Sequence, residues 1–105
     1  MSEAQRPETI TVEIDSDLQS IVPMFLENRI KECQQIGDLL EREQFGEILI
    51  LGHRMKGAGG SYGFDDISTI GEAIEEAALA TDKETIKSAV LQLSDYLARV
   101  RVVYV

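Results

Sequence analysis

Most of the chain repeats apolar residues at intervals of three and four, which is the period of an amphipathic α-helix. Four such stripes follow one another: the first covers residues 17–40, the second begins near residue 44, the third covers about residues 65–80, and the fourth starts after residue 81. Their apolar members are Leu18, Val22, Phe25, Leu26, Ile30, Cys33, Ile36 and Leu40; Phe45, Ile48, Leu49, Gly52 and Met55; Ile67, Ile70, Ile74, Ala77 and Ala78; and Ile86, Ala89, Val90, Leu93, Leu97 and Val100. Because the links between the stripes are short, the pattern predicts an all-α fold, an up-down antiparallel four-helix bundle with a short N-terminal extended segment or helix.

The two ends of the chain follow other patterns. Residues 1–9 are polar and should fray, and "ITVEI" then alternates with Ile10, Val12 and Ile14 on one side, which suits a short extended segment. We therefore expect residues 1–14 to be a flexible or extended N-terminal segment and residues 15–105 to form the helical bundle. The final "VRVVYV" is β-branched and weakly helical, so its conformation stays open.

Residues with special backbone roles suggest where the helices begin. Pro23 should either kink the first helix or start a second one after a short first turn. Thr81, followed three residues later by Glu84, predicts a capping box at the start of the fourth helix.

Composition narrows the possible functions. The 105 residues allow one domain with a modest core, and 44% apolar content is typical of a globular chain. A net charge of −9 argues against nucleic acid as a partner, and the acidic run over residues 65–84 is interpreted as a solvated helix face.

There is no apolar run long enough for a membrane span and no signal-peptide pattern, so a cytoplasmic protein is expected. The single cysteine, Cys33, fits no zinc spacing and should pack as a small hydrophobe, and a monomer is expected because the apolar stripes are used internally.

The stretch "LGHRMKGAGGSYGF", residues 51–64, carries the only histidine and an unusual number of glycines. A phosphate loop after a strand is one interpretation, but Ala58 and Gly59 stand where that motif requires lysine and a hydroxyl residue. The dinucleotide pattern also fails, because it requires a glycine at Tyr62. A glycine-rich helix is the remaining interpretation, although each interior glycine costs about 1 kcal/mol relative to alanine. Such a loss suggests that these positions need the absence of a side chain.

The glycines fall into two groups on a helical wheel. Gly52 and Gly59 lie on the apolar face, where they should allow close packing of a neighbouring helix. The second group clusters around the histidine and should clear the space beside its ring; its members are Gly46, Gly57 and Gly60.

His53 is therefore the candidate reactive residue. A lone histidine is more often structural or indifferent, yet a structural histidine would gain nothing from bare neighbours. Lys56 lies one helical turn later, where a cation favours the neutral, nucleophilic imidazole and can reach a group bound to it. The arrangement suggests a site that accepts an anion, most consistently a phosphoryl group, from a large partner.

The segment "HRMKGAGGSYGF" resembles the phosphorylation motif of histidine-containing phosphotransfer (HPt) domains of two-component phosphorelays. The matching positions are the histidine, a lysine three residues later, the glycine and small residue that follow, and a glycine ten residues after the histidine: His53, Lys56, Gly57, Ala58 and Gly63. With the later "IGEAIEEAA", the resemblance extends over about residues 15–101. Asp65 departs from the proline that relatives often have there, and it should start or cap the next helix.

The resemblance implies a role for four of the matched residues. His53 would accept the phosphoryl group through Nε2, Lys56 would stabilise that group, Gly57 would permit close approach of the partner, and Gly63 would end the helix. The partners would be response-regulator receiver domains, and a hybrid sensor histidine kinase is a further candidate. Mg²⁺ would belong to the receiver, so no cofactor is expected on this chain. The chain would be a phosphocarrier without ATP-dependent kinase activity of its own.

Ile50 lies one turn before His53 and away from the apolar stripe. We expect Ile50, with Gly46, Gly57 and Gly60, to form a docking patch for a receiver, to which Arg54 could add a charged contact. Two alternatives remain open: a non-catalytic helical adaptor in which His53 is idle, and a pseudo-HPt domain that binds a receiver without being phosphorylated. A hydrolase or metal enzyme fits poorly, because the chain has one histidine and no Glu-x-x-His arrangement.

Overall fold

A computed structural model describes residues 8–105 of the chain. Its four long helices confirm the predicted all-α four-helix bundle. The elements are strand β1 (Ile10–Ile14), a short 3₁₀ turn (Ser16–Leu18), helices α1 (Val22–Glu41), α2 (Phe45–Tyr62), α3 (Asp65–Leu79) and α4 (Lys83–Arg99), and strand β2 (Val100–Tyr104). Each helix packs against two others, α1 against α2 and α4, and α3 against α2 and α4.

The core is built mainly from isoleucine side chains contributed by all four helices and by β1. The largest fully buried side chains are Phe64, Ile14, Ile36, Ile48, Met55, Ile67, Ile74, Ile86, Leu93 and Val22. Phe64, between α2 and α3, stacks on Phe25 of α1 with ring centroids 5.2 Å apart, and Tyr62 meets the same ring edge-on at 4.7 Å. These aromatic contacts join the end of α2 to α1.

The α1 stripe predicted from sequence is wider than the buried face. Ile30 is 49% exposed, and Cys33 is half-buried beside it. Both residues line a groove of about 280 Å³ between α1 and α4. Burial raises the pKa of the Cys33 thiol, with a smaller contribution from the negative charge of Glu32.

The starts of α1 and α4 show what Pro23 and Thr81 do in the structure. Pro23 lies in the first turn of α1, after the 3₁₀ turn, where proline needs no hydrogen-bond partner for its nitrogen. The capping box predicted at Thr81 is wrong, because Asp82 caps α4 and its carboxylate accepts from Thr85 N at 3.1 Å. Thr81 instead adopts a left-handed conformation (φ 51°) just after α3.

The open question of the C-terminal residues is settled by strand pairing. β2 runs parallel to β1, with Ile10 opposite Val100 and Ile14 opposite Tyr104. Parallel strands need a long crossover, and here the whole helical bundle supplies it. Ile14 is buried in the core, so the extended segment predicted before the helices packs onto them. The expected fraying of residues 1–9 falls mostly on residues 1–7, which lie outside the described residues.

Helices α2 and α3 approach each other more closely than ordinary side chains would allow. A Cβ atom placed on Gly52 would lie 2.7 Å from Glu75 N, and one on Gly59 would lie 2.6 Å from Ser68 N. A Cβ on Gly71 of α3 would lie 2.5 Å from Lys56 N. The packing role predicted for Gly52 and Gly59 is confirmed, and Gly71 completes the contact from the opposite helix.

Candidate functional site

His53 lies in the middle of α2 with its side chain 71% exposed. Its Nδ1 atom is 3.0 Å from Oε2 of Glu75, which projects from α3 and is 25% exposed. An ionised carboxylate can only accept hydrogen bonds, so Nδ1 must donate to it. In the neutral ring, Nε2 then carries the free lone pair.

Lys56 has its own partner on α3. Its Nζ atom is 3.5 Å from Oε2 of Glu72, and the two side chains are 44% and 49% exposed. His53 and Lys56 are three residues apart on α2, and their partners Glu75 and Glu72 are three residues apart on α3. The order of the partners is reversed because the two helices are antiparallel. An ion pair this exposed contributes little to stability, so the lysine ammonium is loosely held and free to exchange partners.

A third link between α3 and the site reaches the backbone of Lys56 itself. The hydroxyl of Ser68 donates a 2.8 Å hydrogen bond to the backbone carbonyl of Lys56. A Cβ on Gly60 would lie 3.7 Å from the same hydroxyl oxygen, which is an ordinary contact. Gly60 therefore lies at the edge of the α2–α3 contact.

The other two glycines placed near His53 face open space. A Cβ on Gly46 or on Gly57 would meet no atom within 4 Å. Ile50 is 50% exposed, and Arg54 is also exposed. These four residues are exposed on α2, as His53 is, whereas Gly60, the fifth residue of the predicted docking patch, lies at the edge of the α2–α3 contact.

Two grooves of mixed polar and apolar lining run along the seam between α1 and α2, on the side of His53 away from α3. Ile50 and Arg54 line one of them with Leu39. A second groove, further along the seam, is lined by Met24 and Tyr62 among others. The α3 side of His53 thus carries the carboxylates of Glu72 and Glu75, whereas the grooves on its α1 side combine apolar side chains with polar and charged ones.

Gly63 ends α2 in the left-handed conformation, with φ 89°. The turn is closed by a 2.8 Å hydrogen bond from Phe64 N to Gly59 O, and the Gly63 amide reaches Gly60 O at 3.4 Å. A side chain at Gly63 would be strained by this φ and would lie 3.2 Å from Cδ1 of Ile14. The turn directs the chain into α3, which begins at Asp65.

Sequence reasoning missed Glu72, Glu75 and Ser68, because the acidic run was interpreted only as a solvated face. A signal was present in the spacing: Glu72 and Glu75 are three residues apart, as are His53 and Lys56. Two antiparallel helices with matched spacings can pair such residues once their register is known. Glu75 is the more important of these omissions, since it touches the histidine ring.

The described part of the chain lacks two other kinds of feature. Among residues 8–105 there is no group of three or more histidine, cysteine, aspartate or glutamate side chains placed to hold a metal ion. No helix within those residues is both long and apolar enough to cross a membrane.

Comparison with known proteins identifies the family. The model of the Hpt domain family matches residues 20–102, which include all four helices, His53 and both glutamates of the site. The chain belongs to the Hpt domain family. The resemblance of the motif around His53 is thereby confirmed at the level of the family. Searches of curated proteins and of solved structures gave no match.

Membership gives the general function. Hpt domains serve phosphoryl transfer in two-component phosphorelays, where they interact with receiver domains and are phosphocarriers rather than kinases. In this Hpt domain, β1 precedes the matched residues, which end within β2.

Proposed function

We propose that this chain accepts a phosphoryl group on Nε2 of His53 from the phosphorylated aspartate of one receiver domain and passes it to the aspartate of another. The observation that carries the proposal is the hydrogen bond from Nδ1 to Glu75, which directs the nucleophilic lone pair of an exposed ring toward solvent. The relay would operate in the cytoplasm, with a hybrid sensor histidine kinase as a further candidate source of the phosphoryl group.

The transfer needs no proton to leave the histidine. The lone pair of Nε2 forms the new P–N bond, while the P–O bond to the receiver aspartate breaks and its electron pair returns to that carboxylate. The phosphorylated ring is cationic and keeps its proton on Nδ1, where the Glu75 carboxylate accepts it and stabilises the positive charge. The reverse steps release the group to the next receiver.

Other predicted site residues complete the proposal. Lys56 would bind the phosphoryl oxygens through its flexible ammonium, and Gly57 would let the receiver backbone approach the ring. Any Mg²⁺ that assists the reaction would be held by the receiver, and we propose no cofactor on this chain. The transfer is then mainly a matter of positioning and charge stabilisation.

The first experiment compares wild type with His53→Gln after incubation with a phosphorylated receiver domain. Wild type should take up a label that is stable in alkali and labile in acid, as a phosphoramidate is, and His53→Gln should take up none. Equal labelling of the two proteins would refute the phosphocarrier. A receiver that binds wild type without labelling it would instead favour the pseudo-HPt alternative.

A second experiment addresses Glu75 as a positioning residue. Glu75→Leu removes the acceptor of the Nδ1 proton, and the transfer rate should fall roughly ten-fold or more, since hydrogen bonds to charged groups contribute about 1.5–3 kcal/mol. Glu75→Gln can still accept through its amide oxygen and should recover part of the rate. If the two variants lose the same activity, the hydrogen bond does not position the ring.

The docking residues Gly46, Ile50, Arg54, Gly57 and Gly60 are proposed to meet the receiver. Ile50→Glu should slow transfer by placing a charge in the apolar part of this patch without altering the core. Leu91→Glu is the matched control, because Leu91 is also exposed but lies on α4, which does not carry the site. Similar rates for Ile50→Glu and wild type would remove Ile50 from the interface.

A further inference from the structure

The ammonium of Lys56 has two possible anionic partners in the proposed reaction. In the structure it pairs with the Glu72 carboxylate, 3.5 Å away on α3. In the phosphorylated protein it would also be attracted to the phosphoryl oxygens on His53, one helical turn away. The Lys56–Glu72 pair is about half exposed, so a change of partner needs no rearrangement of the core.

We propose that Glu72 competes with the phosphoryl group for Lys56 and thereby disfavours the phosphorylated state of His53. This inference rests on the proposed phosphocarrier function and deepens it, because it assigns a regulating residue to the same site. Glu72 would be a positioning residue that acts through Lys56, without touching the reacting atoms.

The charges give the direction of the effect. A phosphoryl group carries about two negative charges at neutral pH and should attract the ammonium more strongly than one carboxylate does. When Lys56 turns to it, Glu72 is left without that partner and close to a new anion. Both consequences raise the free energy of the phosphorylated state, so Glu72 favours donation to the next receiver over retention.

Glu75 has a different role from Glu72, although the two lie on the same face of α3. Glu75 lies 3.0 Å from Nδ1 of His53 in the structure, and in the phosphorylated state it would accept the same proton and stabilise the cationic ring. The two carboxylates would therefore act in opposite directions, with Glu75 favouring phosphorylation of His53 and Glu72 opposing it. An intermediate carrier that must both accept and release a phosphoryl group benefits from this balance.

The test measures the equilibrium of phosphoryl transfer between one receiver domain and His53, approached from both directions. Glu72→Gln removes the charge but keeps the shape of the side chain, and it should shift the equilibrium toward phosphorylated His53 by roughly two- to five-fold, the range of an exposed ion pair. Glu76→Gln is the matched control, since it removes the same charge from an exposed residue of α3 about one helical turn after Glu72. It should give a clearly smaller shift.

A double substitution separates competition for Lys56 from general repulsion. In a Lys56→Ala background, Glu72→Gln should have a clearly smaller effect on the equilibrium, because only the repulsion between the Glu72 carboxylate and the phosphoryl group remains. The effect in the presence of Lys56 should also shrink at high salt, as expected for an exposed pair. Equal shifts for Glu72→Gln and Glu76→Gln, or a shift that is unchanged in the Lys56→Ala background, would overturn the proposal.

The outcomes also distinguish this inference from the function on which it rests. If wild-type His53 takes no label, the phosphocarrier function fails and the competition has no meaning. If His53 is labelled and Glu72→Gln leaves the equilibrium where wild type has it, the function stands and only the role of Glu72 is refuted.

Discussion

Replacing Gly71 by alanine should separate the two helices that carry the site. The added Cβ atom would lie 2.5 Å from Lys56 N, 2.9 Å from Gly52 O and 3.0 Å from the carbonyl carbon of Met55. All three are backbone atoms of α2, so no side-chain rotation can make room. The helices must therefore move apart.

Two opposing terms set the size of the effect on stability. Alanine favours a helix interior over glycine by about 1 kcal/mol, which would stabilise the variant. Overpacking a well-packed interface costs about 1–3 kcal/mol and occasionally more. Because the blocked atoms belong to the backbone, we expect overpacking to dominate and the free energy of unfolding to fall by about 1–2 kcal/mol.

Urea unfolding followed by circular dichroism at the helical band measures this difference. With a denaturant slope of about 1–3 kcal/mol per molar urea, the midpoint should fall by at least a few tenths of a molar unit. Gly37→Ala is the control, since Gly37 lies in α1 and a Cβ there would meet no atom within 4 Å. It should raise the midpoint through helix propensity alone.

The comparison has a clear negative result. If Gly71→Ala and Gly37→Ala both stabilise the protein by the same amount, the close contact of α2 and α3 does not exist as described. If Gly71→Ala is destabilised but transfers phosphoryl groups at the wild-type rate, the contact is real but its distance does not govern the geometry of the His53 site.

Three further predictions concern the strands, a helix cap and a buried phenol. Ile14→Ala should lower the free energy of unfolding by about 2–5 kcal/mol because Ile14 is fully buried, while Thr11→Ala on the exposed face of β1 should change it by less than about 0.5 kcal/mol in the same urea assay. Hydrogen bonds from Thr85 lower the pKa of Asp82 from its usual 3.8. Asp82→Ala should therefore lower the urea midpoint at neutral pH, and the difference between the variant and wild type should shrink as the pH falls below 3.8. Burial raises the pKa of Tyr96 to about 12, so an ultraviolet titration should show one tyrosine ionising late and Tyr96→Phe should remove that step; because the folded state holds the neutral phenol, the stabilisation that Tyr96 provides should be lost as the pH rises above 10.

The four helices were predictable because each buries a face with the helical period. The core positions of α3 and α4 illustrate this, since Ile67, Ile74, Ile86 and Leu93 are all buried as their spacing predicts. The strand pair was only half predictable. Alternation marked β1, but β2 forms because Val100–Tyr104 finds β1 beside it, and the partner of a strand some ninety residues away is not a local property of the chain.

Helix starts are harder to predict because neighbouring residues compete for the same role. Thr81 and Asp82 can both cap a helix, and the pattern Thr81 to Glu84 favoured the first. In the structure α3 ends with Thr81 in a left-handed conformation, and this moves the start of α4 on by one residue to the Asp82 cap. The geometry with which one helix ends thus decides which residue caps the next.

The site was predictable on α2 and hidden on α3. Glycine destabilises a helix interior, so the glycines of α2 indicated positions where a side chain is not tolerated. They pointed both to the close contact with a neighbouring helix and to the open surface beside His53. The partners of His53 and Lys56 depend on how α2 and α3 are aligned. That alignment is set by the contact of Gly52 and Gly59 with α3 and of Gly71 with α2, which the helical period alone does not specify.

The glycine contact and the chemistry of the site are consequently one structural feature. Because α2 and α3 approach closely at Gly52 and Gly71, the short carboxylate side chain of Glu75 can reach Nδ1 of His53 across the interface. A larger separation would leave that nitrogen to water, and neither ring nitrogen would be fixed as the nucleophile. The same contact sets the distance between Glu72 and Lys56. The separation of the two helix backbones therefore controls both His53, the proposed phosphoryl acceptor, and Glu72, which we propose disfavours its phosphorylation.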